Sequence, residues 1–344
     1  MTGRNRIVVL ILALVLIPLS WVLAGGSAEA EPEETAEQVA VVFGRGGLGD
    51  ESFNDAAFRG LQRAGEELGI EYDYAEPQAV AEFEPLLTQF AAQGSYSLII
   101  SIGFEQGEAL NAVSQAFPDQ EFAIIDTVVE QPNVTSYVYE EQERGFLMGA
   151  AAALTTVEAD NPLVNPAESV AVIGGVESPL INANIAGFLA GAQYINPDID
   201  ASFAYVGSFG DPARGKEIAI SMIEAGADVV WGAAGRSGLG VLDAAMEMGV
   251  YGMGADSDQG SVAPGHVLSN GIKLVDETVY IAIDRTLAGE PAGGLSVLGV
   301  ADGALGYTDS LLSDAALSEL EAVREAIIAG EFDIPATIEE ARAE

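Results

Sequence analysis

The chain of 344 residues contains no cysteine, one histidine and, among its 13 Lys and Arg residues, only two lysines, Lys216 and Lys273. The missing cysteines exclude disulfides, thiolate catalysis and zinc sites built on Cys, and leave the redox compartment undetermined. With His266 alone, a Ser-His-Asp triad or a multi-histidine metal site would have to be assembled around that one residue. Its setting, Ala263-Pro264-Gly265-His266, reads as a turn, and His266 as an ordinary turn histidine. No catalytic residue, metal site or cofactor is expected. Against the 13 cations stand 53 Asp and Glu, a formal net charge of −40. That balance excludes a phosphate-tracking nucleic-acid binder and disfavours anionic lipid surfaces as partners. With 49% hydrophobic residues the chain is nevertheless too apolar for an acidic disordered protein. An Asp/Glu surface nearly free of lysine suits multimolar salt, where screening removes most of the self-repulsion, so a halophilic source is expected.

What is present begins at the N-terminus. Arg4 and Arg6 precede an apolar run from Ile7 to Leu23, then small residues and Ala28-Glu29-Ala30. This is the three-part pattern of a secretory signal peptide with an A-x-A cleavage site. Residues 1–30 are thus expected to be a signal peptide and 31–38 a flexible acidic leader. The run is also just long enough for an uncleaved membrane anchor, which stays open. Export to the cell surface, periplasm or medium is the expected fate.

From Val39 onward, short β-branched runs alternate with helical stretches. Strands are expected at 39–43, 70–74, 97–102, 121–125, 134–138, 169–173, 201–206, 228–232, 250–253 and 266–269. Helices are expected at 53–68, 80–93, 105–116, 141–157, 179–195, 212–225, 237–248 and 274–288. Such alternation implies α/β architecture with parallel sheets. Ten strands exceed one compact sheet, and a fresh series opens near Ser169, so two doubly wound lobes are expected. Ligands of such sheets bind beyond the carboxyl ends of the strands. Those ends carry Gly44 to Asp50, Gly103-Phe104, Asp126, Gly207-Ser208-Phe209, Ala233-Ala234-Gly235 and Gly254 to Asp258, a set of glycines, phenylalanines and aspartates suited to a flat, hydrogen-bonding ring. Gly44-x-Gly46-x-x-Gly49 also fits the dinucleotide fingerprint. Asp50 would repel a pyrophosphate there, and the helix begins only near Ser52, so that reading is set aside.

Gly46-Gly47-Leu48-Gly49-Asp50-Glu51-Ser52-Phe53-Asn54-Asp55 resembles the basic membrane protein family, the purine-nucleoside-receptor-like substrate-binding proteins of ABC transporters. Further matching segments run along the chain: Phe122 to Asp126, Glu141-Gln142-Glu143 leading to Gly145-Phe146-Leu147-Met148-Gly149, Val172 to Gly175, Tyr205 to Pro212, Gly235 to Gly240, Asp256 to Gln259, Pro264-Gly265 and Lys273 to Asp276. The resemblance implies a type I periplasmic-binding-protein clamshell, two α/β lobes joined by three crossovers. It places 39–137 with 270–300 in the N-terminal lobe and 138–269 with 301–344 in the C-terminal lobe.

It further implies that Phe53 and Phe209 sandwich a purine from opposite lobes. Asn54 and Asp126 would read the base edge or nearby hydroxyls, and Asp256 and Lys273, with the Gly235 backbone, would hold the ribose. Asp50 is a further candidate. Helix capping is the competing role for Asp50, Asp126 and Asp256, core packing for Phe53 and Phe209, and the surface for Lys273. The implied partners are a nucleoside such as guanosine or inosine and a permease with its ATPase, with no nucleic acid. Membrane association would come only through the permease or an uncleaved signal segment. Alternatives in the same fold are a binder of riboflavin or another flat hydroxylated solute, and a sensor component; a nucleoside hydrolase is the alternative of another class. Two departures stand out: Gly44 occupies a position where many relatives carry aspartate, and the absence of cysteine excludes the thioether lipid anchor many bacterial relatives carry. Asn133-Val134-Thr135 is a glycosylation sequon.

Overall fold

The computed structural model describes residues 36–343. The expected signal peptide and leader up to Thr35 lie outside the described residues. Gln38, counted with the leader from sequence, is the first residue of strand β1 and pairs with Glu71 and Tyr96.

One sheet contains β1 (Gln38–Val42), β2 (Glu71–Ala75), β3 (Tyr96–Ile102), β4 (Phe122–Ile125), β5 (Val134–Tyr139) and, from much later in the chain, β11 (Gly294–Leu298). The other contains β6 (Ser169–Gly174), β7 (Asp200–Tyr205), β8 (Ala227–Ala233), β9 (Tyr251–Asp256), β10 (Val267–Lys273) and β12 (Leu305–Tyr307). The strand orders, β11-β5-β4-β3-β1-β2 and β12-β10-β9-β8-β6-β7, repeat one pattern. All pairings are parallel except that of β12, which runs antiparallel to β10. Helices α1 (Phe53–Leu68), α2 (Phe83–Gln93) and α3 (Gly107–Ala116) follow the first strands. After them come α4 (Glu141–Thr156), α5 (Pro179–Ile195), α6 (Pro212–Glu224), α7 (Gly238–Met248), α8 (Val275–Leu287), α9 (Asp314–Ile328) and α10 (Ile338–Ala341). Covered on both faces, the central strands β6 and β8 are buried along their whole length, as parallel sheets require. The fold is the two-lobed α/β clamshell.

The chain passes between lobes three times, after β5, after β10 and after β11. The lobe boundaries move relative to the sequence expectation. The cut between 269 and 270 would sever β10, which continues to Lys273 and pairs there with Leu305. The cut between 137 and 138 would sever β5, whose Tyr139 pairs with Leu298. The helical expectations hold closely, with α1 and α5 matching end to end. Strands β11 and β12 and helices α9 and α10 were not among the expected elements. The signal for α9 was present: Ser313 caps Ala316, and Ala316, Leu320, Val323 and Ile327 recur on one buried face.

Helices α4 and α5 pack at backbone distance because their facing residues are glycines. A Cβ on Gly145 would lie 2.2 Å from the Asn184 carbonyl oxygen, and one on Gly149 would lie 2.0 Å from that of Phe188. Gly187 and Gly191 meet Gln142 and Phe146 the same way, at 2.0 Å each. The glycines in the Gly145-to-Gly149 run are therefore packing residues that fix the start of α4, and with it Glu141 and Arg144. Gly149→Ala is expected to lower stability by about 1–3 kcal/mol, because the helices must separate to admit a methyl group; urea unfolding followed by circular dichroism checks this.

Candidate functional site

The carboxyl ends of both sheets converge on a cleft, the place where ligands of such sheets bind. Its wall contains Asp50, Phe53, Asn54, Asp126, Phe209, Gly235, Asp256 and Lys273, every residue given a ligand role from sequence, together with Phe104 from the strand-end set and Arg45, Glu105 and Arg144, which had no such role.

At one end lies a buried cluster of five charges. Lys273, at the end of β10, donates from Nζ to Asp126 Oδ1 over 2.5 Å and to Glu141 Oε1 over 2.6 Å. Arg144 donates from Nη1 to Asp256 Oδ1 over 2.5 Å, from Nη2 to Glu141 Oε2 over 2.7 Å, and from Nε to Asn184 over 3.1 Å. The five side chains are between 2% and 9% accessible. Lys273 Nζ also sits 5.0 Å from the Phe53 ring centroid and 4.5 Å from that of Tyr139, a favourable arrangement for a desolvated cation.

Asp126 and Asp256 occupy equivalent places, immediately after β4 and at the end of β9. Both have left-handed backbones, with φ of 76° and 66°. Aspartate tolerates this conformation at modest strain, and here it turns each carboxylate toward the facing cation; neither residue caps a helix. Glu141 and Arg144 are missed by sequence reasoning that follows strand ends alone. Their detectable signal is the i, i+3 spacing of opposite charges in the first turn of α4.

Burial pushes Asp126 up to about 6 despite Lys273 beside it, while Glu141, equally buried, is held below its ordinary value by Arg144 and Lys273. The difference has a simple source. Glu141, Arg144, Asp256 and Lys273 all belong to the second lobe and sum to zero charge. Asp126 is the first lobe's contribution and adds one uncompensated negative charge. Its Oδ2 makes no hydrogen bond within the described residues. The resemblance gives Asp126 the base edge or nearby hydroxyls and Lys273 the ribose; the 2.5 Å contact places both side chains at the same end of the cleft.

Asp50 and Asn54 are in the wall, but their polar atoms are largely engaged. The Asp50 carboxylate accepts the N–H groups of Ser52, Asn54 and Asp55 and the Asn54 amide, at 2.9 to 3.1 Å. It caps the first turn of α1, the competing role weighed from sequence. Asn54 Oδ1 accepts from Gly44 N over 2.9 Å, tying the glycine loop to the helix. Asn54 thus has one amide proton left for the cleft. Burial raises Asp50 to about 6 even with these donors.

The aromatic residues line the same space. Phe53 opens α1 in the first lobe, and Phe209 follows β7 in the second, where Gly175 makes room for it: a Cβ there would lie 2.3 Å from the Phe209 ring. Phe104, from the first lobe, meets Phe209 edge-on with centroids 6.2 Å apart. The lobes also touch through Ser52 Oγ to Asp256 Oδ2 at 2.5 Å, Arg59 to Ser257 at 2.8 Å and Gln259 to the Glu51 carbonyl at 3.1 Å.

Two other sequence features lie outside this cleft. His266 Nδ1 is 2.9 Å from the Val250 carbonyl, in the turn expected for it. The Asn133 amide of the sequon is buried and donates to the carbonyls of Ser114, Phe117 and Gln120, which closes it to glycosylation in the folded chain.

The charge balance predicts opposite effects for two substitutions. Lys273→Met leaves Asp126 and Glu141 buried beside one remaining cation and is expected to cost about 3–5 kcal/mol in urea unfolding. Asp126→Asn leaves the neutral set of the second lobe intact. A carboxyl raised to about 6 stabilises the fold fully below its unfolded value, about 4, and loses that contribution as pH rises through about 6. The stability of Asp126→Asn relative to the parent should therefore shift in the variant's favour between pH 4 and pH 7; a pH-independent difference would contradict this.

A model of the family described as "ABC transporter substrate-binding protein PnrA-like" matches residues 37–338. An uncharacterized lipoprotein of Pyrococcus abyssi is 33% identical over 311 residues, covering 87% of this chain and 76% of that protein. The ABC transporter nucleoside-binding protein BmpA of Lactococcus lactis subsp. cremoris is 32% identical over 286 residues, covering 77% of this chain and 79% of that protein. Among solved structures, an ABC transporter solute-binding protein of Aeropyrum pernix K1 superposes with a TM-score of 0.82 at 29% identity, covering 89% of this chain and 96% of that one. With the strand-end cleft, the matched segments and the shared two-lobed fold in agreement, the chain belongs to the Bmp family of PnrA-like ABC transporter substrate-binding proteins.

Proposed function

We propose that this protein captures a purine nucleoside of the guanosine or inosine type outside the membrane and presents it to the permease and ATPase of an importer. The observation that carries the reading is the uncompensated carboxylate of Asp126 at one end of an aromatic-lined cleft. Asp126 Oδ2 asks for hydroxyl or N–H donors, and the local excess of negative charge disfavours phosphate, which favours a nucleoside over a nucleotide. Phe53, Phe104 and Phe209 offer faces and edges to a flat base. Asp126, Asp256 and Lys273 sit together where a ribose diol would find both acceptors and a donor. One relative, BmpA, is named as nucleoside-binding, and the named lipoproteins among the relatives support an extracytoplasmic setting. Lacking cysteine, this chain would be released, retained by an uncleaved signal segment, or held by its permease, not anchored by a thioether.

Binding would act as a clamp. A solute touching Phe53 and Asp126 of one lobe and Phe209 and Lys273 of the other favours the closed form by its differential affinity for that form. The permease would then read closure.

A thermal-shift screen of the full chain tests the proposal. Guanosine or inosine at about a hundred times its dissociation constant should add about 2.7 kcal/mol of stability, and the shift should shrink in Phe209→Ala and Asp126→Asn. A shift with riboflavin or a sugar and none with any nucleoside would overturn it. For the acidic surface we propose salt adaptation, and the melting temperature should rise from about 0.1 M to about 3 M KCl as repulsion is screened; an unchanged value would count against it.

A further inference from the structure

Arg45 follows Gly44 in the loop after β1, and Glu105 follows Phe104 after β3; both line the cleft. Arg45 Nε donates to Glu105 Oε2 over 2.9 Å, and Nη2 donates to Oε1. This fork holds one edge of the guanidinium in a fixed plane. The other edge, Nη1 with the second proton of Nη2, has no partner among the described residues, and Arg45 remains 31% accessible.

Most other polar atoms of the wall already have partners. Asp50 is filled by the first turn of α1, and Asn54 is shared between Asp50 and Gly44. Each nitrogen of Arg144 has its own partner in the buried cluster. Lys273 and one oxygen of Asp126 belong to that cluster too, which leaves the other Asp126 oxygen, an acceptor, and one Asn54 amide proton open to the cleft. Arg45 is therefore the lining cation with an unclaimed planar donor edge, and its partner Glu105 directly follows Phe104, whose ring meets Phe209 edge-on.

We infer that Arg45 determines base specificity, its open guanidinium edge donating to the adjacent acceptors O6 and N7 of a 6-oxopurine, with Glu105 as its positioning residue. The inference rests on the nucleoside reading above. A guanidinium matches two side-by-side acceptors as a planar fork, the same complementarity by which arginine selects guanine in duplex DNA. A 6-aminopurine places an amino donor where O6 would be, so donor faces donor and the guanidinium loses a partner it would otherwise have.

Isothermal titration calorimetry on the full chain with guanosine, 7-deazaguanosine and adenosine tests this. The parent should bind guanosine on the order of 10- to 100-fold more tightly than adenosine, and replacing N7 by carbon should weaken binding about tenfold. In Arg45→Met, which removes the donors, guanosine should lose most of that advantage, adenosine should change by less than about threefold, and the 7-deaza penalty should vanish, as coupling between the two partners requires. Glu105→Gln should keep the melting temperature while reducing the guanosine preference and the 7-deaza penalty together, a pattern that a merely structural role would not produce. Equal affinity of the parent for guanosine and adenosine, or a 7-deaza penalty that persists in Arg45→Met, overturns the assignment and leaves nucleoside binding standing. Absence of binding to any of the three purine nucleosides overturns the nucleoside reading, and the assignment with it.

Discussion

The structure turns on one electrostatic arrangement, the buried cluster in which Lys273 and Arg144 hold Glu141 and Asp256 in the second lobe and meet Asp126 from the first. Charges taken this far out of water are tolerated only with close partners and full hydrogen bonding. Four of the five balance their charges inside one lobe. The fifth, Asp126, arrives across the cleft and leaves one oxygen open. The lobes therefore meet at a site that is electrostatically incomplete, and in the proposed reading a neutral solute rich in donors completes it.

Much of the surrounding sequence serves that geometry. The glycines of α4 and α5 allow the helices to approach at backbone contact, which sets the first turn of α4 and places Glu141 and Arg144 under the strand ends. The left-handed backbones of Asp126 and Asp256 turn their carboxylates into the cluster from equivalent positions in the two sheets. Asp50 and Asn54 act one step further back: they cap α1 and tie Gly44 to it, so that Phe53 and the glycine loop share one rigid wall. These residues combine structural and cleft-lining roles, which is why the capping and ligand readings of Asp50 were difficult to separate from sequence.

The fold was largely legible before any coordinates. Alternating β-branched runs and amphipathic helices, Pro179 at the start of α5 and the left-handed Gly69 after α1 are local signals, and they led to the right elements. Strands β11 and β12 were not legible, because each is short, lies at a sheet edge and depends on a partner distant in the chain. The same limit applied to the site. Strand ends pointed to Asp126, Phe209 and Asp256, the family resemblance added Phe53 and Lys273, and all of them line the cleft. Pairing was hidden: Asp126 and Lys273 are 147 residues apart in sequence, and no local pattern announces their contact. Arg45 and Glu105 were hidden for the same reason, since an arginine in a glycine loop reads as solvated until its carboxylate partner is placed.

The most direct measurement is a crystal structure of the full chain with guanosine. The account predicts a ribose hydroxyl within hydrogen-bond distance of Asp126 Oδ2, the base stacked between phenylalanines of the two lobes, and O6 and N7 facing Arg45. A guanosine bound elsewhere, or one in the cleft that leaves the Asp126 oxygen without a donor, would contradict the claim that the incomplete buried cluster is what recognises the solute.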